Sequence, residues 1–420
     1  MKKSSRFIRA GRTLWLLAFI FVTTVYFTNR ILAQPKTGDA QNPLYVDPAS
    51  RDFSQNPKLL QRIEANPHGY FRFINIPFSE EVCKLFSDTL PGTPSFNLHG
   101  DAHIEQYAVT DLGRGLTDFD DSSTGPAVID LLRFGVSLRL TCMINGWEDK
   151  ADDLFQTFLQ GYRTAITHPE TEAPIPALVT KIQKKFKYDR KAYFKWIATI
   201  MTPIPDEERE GLIAALQPYV EVMLTENNDM PENFFKITDL GYLHMGIGSA
   251  LDLKFLVRIH GATDDPRDDV VLEVKEVRDL SGIDCITITR KDDPFRVLLG
   301  QARIAYQPYK YLGYIRFHGK TFWIHSWVDN YKEINVTKSF KSVQDLAEVV
   351  YDIGVQLGKG HPKQIASPFD VQLRKEQLLF LEKHENKIKK SCRYLTHLTV
   401  QAWKEFCANV PKSTQKLPQP

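Results

Sequence analysis

The densest group of side chains able to do chemistry lies between His99 and Asp130. This stretch carries seven carboxylates against a single arginine, Arg114. The seven are Asp101, Glu105, Asp111, Asp118, Asp120, Asp121 and Asp130. Carboxylates that lie close together repel and raise one another's pKa values, so such a cluster packs well only when cations neutralise it. A divalent metal is the usual cation, and Mg²⁺ prefers the oxygen ligands that Asp and Gln supply. We therefore expect a metal-binding loop here, with Asp111 and Asp121 assigned to turns and surface charge.

A second group of residues suits phosphate binding. Gly246, Gly248 and Ser249 form a glycine-rich turn before a run with strand character, and Lys275 follows two strands later. Glycines let a backbone approach phosphates closely, and a lysine on a neighbouring strand pairs with them as a point charge. A hairpin turn also needs glycine and a surface strand also carries lysine, so the prediction depends on the two signals together.

Hydrophobic patterning indicates which elements position these groups. Apolar residues at helical spacing predict helices over 127–144, 151–167, 206–225 and 342–358. Short β-branched and aromatic runs between Gly, Asp and Pro turns predict antiparallel strands over 253–259, 270–277 and 321–328. Alternation from Gly69 onward predicts a further strand. A β-rich segment of about a hundred residues thus stands between two helical ones.

The acidic stretch resembles the catalytic and metal-binding loops of the kinase-like aminoglycoside and choline phosphotransferases. It is still more similar to the bacterial DUF2252 family, which is placed in that superfamily. The family pattern GDxHxENFG…NDFDE…GPxxxDLxRLxxS is similar to residues 100–107, 117–121 and 125–137 of this chain. The family's GxGS…LQVKEA resembles the turn at Gly246 and the strand around Lys275, and its RVVEGQR and LARAHA resemble residues 296–301 and 357–361. The resemblance spans about Phe96 to Pro362.

This resemblance implies an α+β fold with the two lobes of a protein kinase, circularly permuted, in which an antiparallel β lobe is inserted between helical segments. In ordinary kinases the glycine loop and lysine precede the catalytic loop, whereas here Gly246 and Lys275 follow Asp101. Residue patterns and the resemblance together predict these parts: 1–33, a signal peptide or N-terminal membrane anchor; 34–66, a linker; 67–235, a helical lobe with the catalytic and metal loops; 236–340, a β-rich lobe that cradles nucleotide; and 341–420, helices that complete the helical lobe.

The resemblance also implies an activity, the transfer of a phosphoryl group from a nucleotide with Mg²⁺ to a hydroxyl of an unknown acceptor. Asp101 would orient the hydroxyl and accept its proton, and His103 would brace the loop. The implied site residues are Asp101 and His103 as catalytic residues, Asp118, Asp120 and Gln106 as Mg²⁺ ligands, and Gly246, Gly248, Ser249 and Lys275 as ligands of ATP or another nucleotide.

Two departures from the family pattern leave alternatives open. The family has Asn at the position of Gln106 and Glu at the position of Leu299, so Lys275 is expected to lack an obvious ion-pair partner. The first alternative is a catalytically inactive kinase-like module that binds its ligand at a membrane. The second is a metal-dependent hydrolase, whose ligands would be His99, Asp101, His103 and Asp118.

The N-terminal segment predicts export. Five positive charges precede an apolar run from Leu14 to Phe27, and Ala33 stands before Gln34. This pattern is typical of a signal peptide, and the stretch to Ala33 is just long enough to serve as an uncleaved anchor with its N-terminus in the cytoplasm. We therefore expect a periplasmic, lumenal or extracellular protein, which contacts the membrane through this segment if it is not cleaved.

Charge and cysteine content narrow the remaining classes. Residues 1–33 hold six Lys and Arg and no acid, which leaves 47 basic against 51 acidic residues in the rest of the chain. No basic footprint for nucleic acid is left, so we expect no nucleic-acid partner. The five scattered cysteines allow at most two disulfides. Cys392 with Cys407 is one candidate pair, and five buried thiols fit equally well.

Overall fold

Helices and antiparallel strands alternate along the chain. The structure, a computed structural model, describes residues 41–53, 57–244, 247, 252–363 and 366–411. Its α-helices within these ranges are α1 (Pro57–Glu64), α2 (Pro67–Phe73), α3 (Asn75–Leu85), α4 (Val128–Asn145), α5 (Ala151–Thr167), α6 (Ala177–Gln183), α7 (Arg190–Ile200), α8 (Asp206–Glu226), α9 (Phe295–Ile304), α10 (Val343–Gly360) and α11 (Phe369–Asn409). Its strands are β1 (Phe96–Leu98), β2 (Tyr107–Thr110), β3 (Arg114–Leu116), β4 (Ser123–Gly125), β5 (Met201–Thr202), β6 (Ile237–Leu243), β7 (Lys254–Ile259), β8 (Val270–Glu276), β9 (Gly313–Phe317), β10 (Lys320–Ser326) and β11 (Tyr331–Glu333). The fold is therefore mixed α/β, and the residues described from Asn42 onward belong to one compact unit.

The largest sheet has six strands in the order β5-β6-β7-β8-β10-β9. Because successive side chains of a strand point to opposite faces, the sheet has two distinct surfaces. One surface is apolar and packs against Leu212, Leu216 and Tyr219 of α8. Its strand residues include Phe255, Val257, Ile259, Leu272, Val274, Phe322 and Ile324. This surface forms a core of its own.

The opposite surface of this sheet is partly polar. Helix α7 covers one part of it, where Tyr193 and Ile197 pack with Leu256 and Val271. Three charged side chains, Lys254, Glu273 and Lys275, are buried on the remaining part. Burying charged side chains is costly unless they are paired, so the groups that pair with these three side chains determine the chemistry of this surface.

Four short strands hold the two acidic loops in a nested arrangement. β1 pairs with β4 and β2 pairs with β3, both antiparallel. The loop 99–106 connects β1 to β2, and the loop 117–122 connects β3 to β4. The first loop starts at β1 and the second ends at β4, which are paired. The first loop ends at β2 and the second starts at β3, which are also paired, so the two loops lie side by side. After the six-stranded sheet the chain forms β11, which pairs with β2 and so lies beside the acidic loops.

The main helical core forms around α4, α5, α10 and α11. Residues of all four helices belong to one large cluster of buried apolar side chains. α5 and α10 approach closely at Gly354, where an added Cβ would lie 2.3 Å from the carbonyl oxygen of Phe158. Only glycine fits there. This core anchors α4, whose first turn carries Asp130 to the base of the acidic loops.

Most expected elements are confirmed with shifts of one or two residues at their ends. The four predicted helices correspond to α4, α5, α8 and α10, and the three predicted strands to β7, β8 and β10. The strand expected from Gly69 is wrong, because Asn66 caps the first turn of α2 by accepting from the Gly69 N–H, and Pro67 starts the helix. These helix-start signals outweigh the alternation of apolar residues.

Two segments near the expected boundaries pack differently from what the predicted parts of the chain imply. The described end of the expected linker contains α1 and buries Leu44, Phe53 and Leu59 in the main core. α8 packs on the six-stranded sheet although it precedes residue 236. The expected signal peptide or anchor, 1–33, lies outside the described residues. Across the ranges that are described, no helix combines the length and apolar character needed to cross a membrane.

Candidate functional site

The β2–β3 hairpin brings the two acidic loops together. Tyr107 pairs with Leu116 in its register, and the Thr117 N–H donates to the carbonyl oxygen of Gln106 at 2.8 Å. Gln106 therefore lies next to the residue that precedes Asp118. Gln106 and Asp118 are more than ten positions apart in the sequence, and the hairpin brings them close together in space.

Gly100 is the point where the two loops touch. Its φ of +81° lies in the left-handed region, and an added Cβ would stand 1.9 Å from the carbonyl oxygen of Asp121. Asp130 fixes the same turn from below, because its carboxylate accepts from the backbone N–H groups of His99 at 2.7 Å and Gly100 at 2.8 Å. The backbone conformation, the close approach and the hydrogen bonds together set the position of Asp101.

Asp101 is locked to a buried arginine. Its Oδ1 accepts from Nε of Arg133 at 2.8 Å, and Nη2 of the same guanidinium lies 2.8 Å from it as an ion-pair contact. The Arg133 guanidinium stacks 3.7 Å above the ring of Phe71 and donates to the Phe71 carbonyl oxygen. Burial would raise the pKa of Asp101, but Arg133 and then His103 hold it well below its usual value. Asp101 is therefore ionised at neutral pH. We call Asp101, Arg133, His103 and Gln106 the arginine centre.

His103 and Gln106 complete the arginine centre. The Gln106 N–H donates to Nδ1 of His103, which places the ring hydrogen on Nε2, 3.6 Å from Oδ2 of Asp101. Burial lowers the pKa of His103 to about 4, so the ring is neutral at pH 7. Gln106 donates its side-chain amide to the same Oδ2 at 3.4 Å. The backbone contact of His103 with Gln106 holds the end of the loop 99–106.

Lys275 meets the second acidic loop from the polar surface of the sheet. Its ammonium lies 2.8 Å from Oδ1 of Asp118 and 2.7 Å from Oδ2 of Asp120. Trp323, on the neighbouring strand β10, donates its indole N–H to the other oxygen of Asp120 at 2.9 Å. The Asp118 side chain is 34% exposed, whereas Lys275 and Asp120 are buried. We call Asp118, Asp120 and Lys275 the lysine centre.

The backbone and the charges of the lysine centre are both unusual. Asp118 has φ +59°, a strained conformation for a residue other than glycine, and such strain is concentrated at functional sites. Burial and the neighbouring Asp118 carboxylate raise the pKa of Asp120 to about 8. Burial would also raise the pKa of Asp118, but Lys275 and the hydrogen bond with Asp120 hold it well below its usual value. At neutral pH the lysine therefore faces one negative charge shared by two carboxyl groups.

Two arginines fix the end of the second loop. Arg278, just past β8, donates to both oxygens of Asp121 at 2.9 and 2.8 Å. Arg296 of α9 donates to the carbonyl oxygens of Asp120 and Ser122. Asp121 lies in a turn as expected, but its expected place as a surface charge is wrong, because its carboxylate is buried and accepts from Arg278 at both oxygens. Asp111, in contrast, accepts from Asn330 in an exposed contact.

The donor set around Asp118 fits one kind of magnesium site. Among the described residues, no group of three or more His, Cys, Asp or Glu side chains is arranged to hold a metal ion. Both oxygens of Asp120 are engaged, by Lys275 and Trp323. Mg²⁺ takes one or two protein carboxylates and completes its shell with water and substrate phosphates. The partly exposed Asp118 carboxylate fits an ion held mainly by water and substrate phosphates, whereas a closed cage of protein ligands does not fit.

Three of the expected nucleotide-binding residues cannot be placed against this geometry. Gly246, Gly248 and Ser249 lie outside the described residues. The expectation that Lys275 has no ion pair is wrong, because Asp118 and Asp120 both contact it. Leu299 is half-exposed on α9. The other expected residues gather in the two adjoining centres; they are Asp101, His103, Gln106, Asp118, Asp120 and Lys275.

Sequence reasoning missed several charged residues of the site. Arg133 stands between apolar residues of α4 and Lys254 begins a mostly apolar strand, and neither received a role. A charged residue inside an apolar run is rarely buried unless it is paired, and that signal could have identified both. The partner of Cys83 was also missed: it is Cys285, 202 positions away, and Cys392 and Cys407 are free. This disulfide ties α3 to the segment that follows Arg278.

Comparison with known proteins yields one match. A family model described as "Uncharacterized protein conserved in bacteria (DUF2252)" matches residues 55–183 and 177–409. No curated protein and no solved structure matches the chain. The matched ranges contain both the arginine centre and the lysine centre.

Proposed function

The chain belongs to the DUF2252 family, and we propose that it is a phosphotransferase that moves a phosphoryl group from a nucleotide with Mg²⁺ to the hydroxyl of an unknown acceptor. One observation carries the proposal. A strand lysine, Lys275, pairs with Asp118 in a strained, partly exposed turn that lies directly beside the buried Asp101. Phosphoryl transfer requires mainly positioning and charge neutralisation, and these groups supply both.

Each centre has a separate part in this proposal. Lys275 steadies the donor phosphates, and Asp118 with Gln106 holds the Mg²⁺ that accompanies them. The ion would neutralise charge that develops on the transferred group. Asp101 is ionised and held by Arg133, so it orients the acceptor hydroxyl by accepting its hydrogen bond. Gly246, Gly248 and Ser249 remain proposed contacts to the phosphates.

We also propose the finer fold and location that this activity fits. The six-stranded sheet and its helices stand in sequence between the acidic loops and α10, which supports a kinase-like, two-lobed and circularly permuted arrangement. Disulfides persist in oxidising compartments, so the Cys83–Cys285 bond supports an exported protein, tethered if residues 1–33 are not cleaved.

One observation favours a second function, an inactive module that binds nucleotide. Arg133 holds Oδ1 of Asp101, while Gln106 and His103 lie against Oδ2, so this carboxylate is engaged on both sides. A metal-dependent hydrolase receives no such support. The His99 ring accepts from the Asp101 N–H at Nδ1 and lies 3.0 Å from the Thr117 carbonyl oxygen at Nε2, so both nitrogens already have backbone partners.

Nucleotide binding and turnover test the proposal in sequence. The full chain should gain thermal stability from ATP or GTP with Mg²⁺, because a ligand of the folded state stabilises it. Lys275→Met and Asp118→Asn should each reduce that gain. Transfer of labelled γ-phosphoryl to water or protein then separates the two functions: an active enzyme releases or transfers label, and a binding module retains intact nucleotide. A wild-type chain that no nucleotide stabilises would contradict both.

A further inference from the structure

The polar surface of the six-stranded sheet carries two lysines side by side. Lys254 on β7 is the direct cross-strand partner of Lys275 on β8. Residues directly opposite each other in an antiparallel pair project from the same face, with Cβ atoms about 5 Å apart. Only 4% of Lys254 and 6% of Lys275 is exposed. Two ammonium groups therefore reach from one place toward the acidic loops.

This arrangement depends on the carboxylates that surround the two lysines. Like charges directly opposite each other destabilise a sheet, and a buried ammonium loses its hydration. Burial lowers the pKa of Lys254 and Lys275 is the next cause, whereas Glu273, Asp120 and Asp118 act in the opposite direction. Glu273, on the same face, offsets this in part, but its Oε2 also accepts from the Trp327 indole N–H at 2.7 Å and contacts His325 at 3.0 Å. Local arrangements that cost stability are expected where a ligand compensates them.

We propose that Lys254 and Lys275 together bind two adjacent phosphoryl groups of one ligand, so that the site selects a diphosphate unit over a single phosphate. This inference rests on the proposed function and deepens it, because it assigns a role to Lys254 and names the ligand class. Diphosphate units occur both in nucleotides and in inorganic polyphosphates, and the lysines recognise the chemistry that these share.

Binding of a graded set of phosphates tests the inference. Thermal stability of the full chain is measured at fixed Mg²⁺ with orthophosphate, pyrophosphate, tripolyphosphate, AMP, ADP and ATP. Every compound with a diphosphate unit should stabilise the wild-type chain. Orthophosphate and AMP should need at least tenfold higher concentrations to give the same thermal shift. Tighter binding of ATP than of tripolyphosphate identifies a nucleotide as the ligand, and equal binding identifies a polyphosphate.

Variants separate Lys254 from the rest of the site. Lys254→Met should weaken the binding of pyrophosphate and ADP at least tenfold, and the melting temperature of the free variant is measured alongside. Lys254→Arg, which keeps the charge, should retain binding. Lys320→Met is the matched control, because Lys320 lies on β10 of the same sheet but is half-exposed and paired with Glu276. This control should bind like wild type.

Each contrary result overturns a specific claim. If Lys254→Met binds diphosphates like wild type while Lys275→Met does not, the role of Lys254 is wrong and the proposed function stands. If orthophosphate and AMP bind as tightly as pyrophosphate and ADP, the diphosphate claim is wrong. If Lys254→Met melts well below wild type without ligand, the lysine is structural. If wild type binds none of the six compounds, the inference and the proposed function both fall.

Discussion

The arginine centre and the lysine centre neutralise their carboxylates in different ways. Arg133 holds Asp101 with two nitrogens and is itself fixed against an aromatic ring. Lys275 contacts Asp118 with a single ammonium that also contacts Asp120, and a third of the Asp118 side chain stays exposed. A planar guanidinium locks a carboxylate by geometry, whereas an ammonium acts as a point charge that can change partners. One acidic cluster thus divides into a part that fixes the loops and a part that can exchange its cation.

Loss of Arg133 should have the largest effect on stability. Arg133→Met leaves the buried Asp101 carboxylate without its counter-charge, and breaking a buried ion pair in this way costs about 3–5 kcal/mol. Urea unfolding of the full chain measures the change in the free energy of unfolding. Arg267→Ala is the control, because Arg267 pairs with Asp265 on the surface and should leave the urea midpoint unchanged.

The result also tests the division between the two centres. If Arg133→Met loses little stability, the arginine centre does not fix the loops, and the contrast with the lysine centre fails. If Arg133→Met does not fold, the same unfolding measurement is made on Asp101→Asn. This variant keeps the shape of the side chain and leaves the guanidinium unpaired, so it should also be strongly destabilised.

The contact between the loops should be the next most sensitive point. In Gly100→Ala the new Cβ meets the carbonyl oxygen of Asp121 at a positive φ, and we expect a loss of about 2–3 kcal/mol. Gly146→Ala is the matched control, since Gly146 has φ +71° but open space around its Cβ, and about 1 kcal/mol should be lost there. Urea unfolding measures both.

The comparison of these two glycine variants isolates the close approach from the backbone strain. Gly100→Ala should also weaken nucleotide binding, because the displaced carbonyl belongs to the loop that carries Asp118. Equal losses in the two variants would mean that the second loop yields to the new Cβ, and then the two centres are mechanically independent.

The sequence predicts the parts of the site that depend on local patterning. Helical spacing identified α4, and a β-branched run between turn residues identified β8, so the elements that carry Arg133 and Lys275 were found. The acidic cluster was recognised from composition, and its ordered motifs led to Asp101 and Asp118. Capping at Asn66 was missed because a few apolar residues can alternate within a helix as well as within a strand.

Pairings over long separations explain the rest of what the sequence did not reveal. Lys275 and Asp118 are 157 positions apart, and Cys83 and Cys285 are 202 apart. Spacing carries no information about such contacts. The expectation that Lys275 loses its ion pair because Leu299 replaces a glutamate failed for this reason. The carboxylates that neutralise the lysine come from the acidic loop, whereas Leu299 is half-exposed on α9.

The smallest stability change should come from Gln106, which lies on the border between the two centres. Its amide donates to Asp101 at 3.4 Å, a long hydrogen bond, while its backbone oxygen accepts from Thr117 whatever the side chain is. Gln106→Asn should therefore change the free energy of unfolding by less than about 0.5 kcal/mol. The shorter side chain moves the amide oxygen by one methylene, so the thermal shift with Mg²⁺ and ATP should change although stability does not. A loss above about 1 kcal/mol with unchanged nucleotide binding would assign Gln106 to the arginine centre alone, and Asp118 would then be the one protein side chain left for the metal.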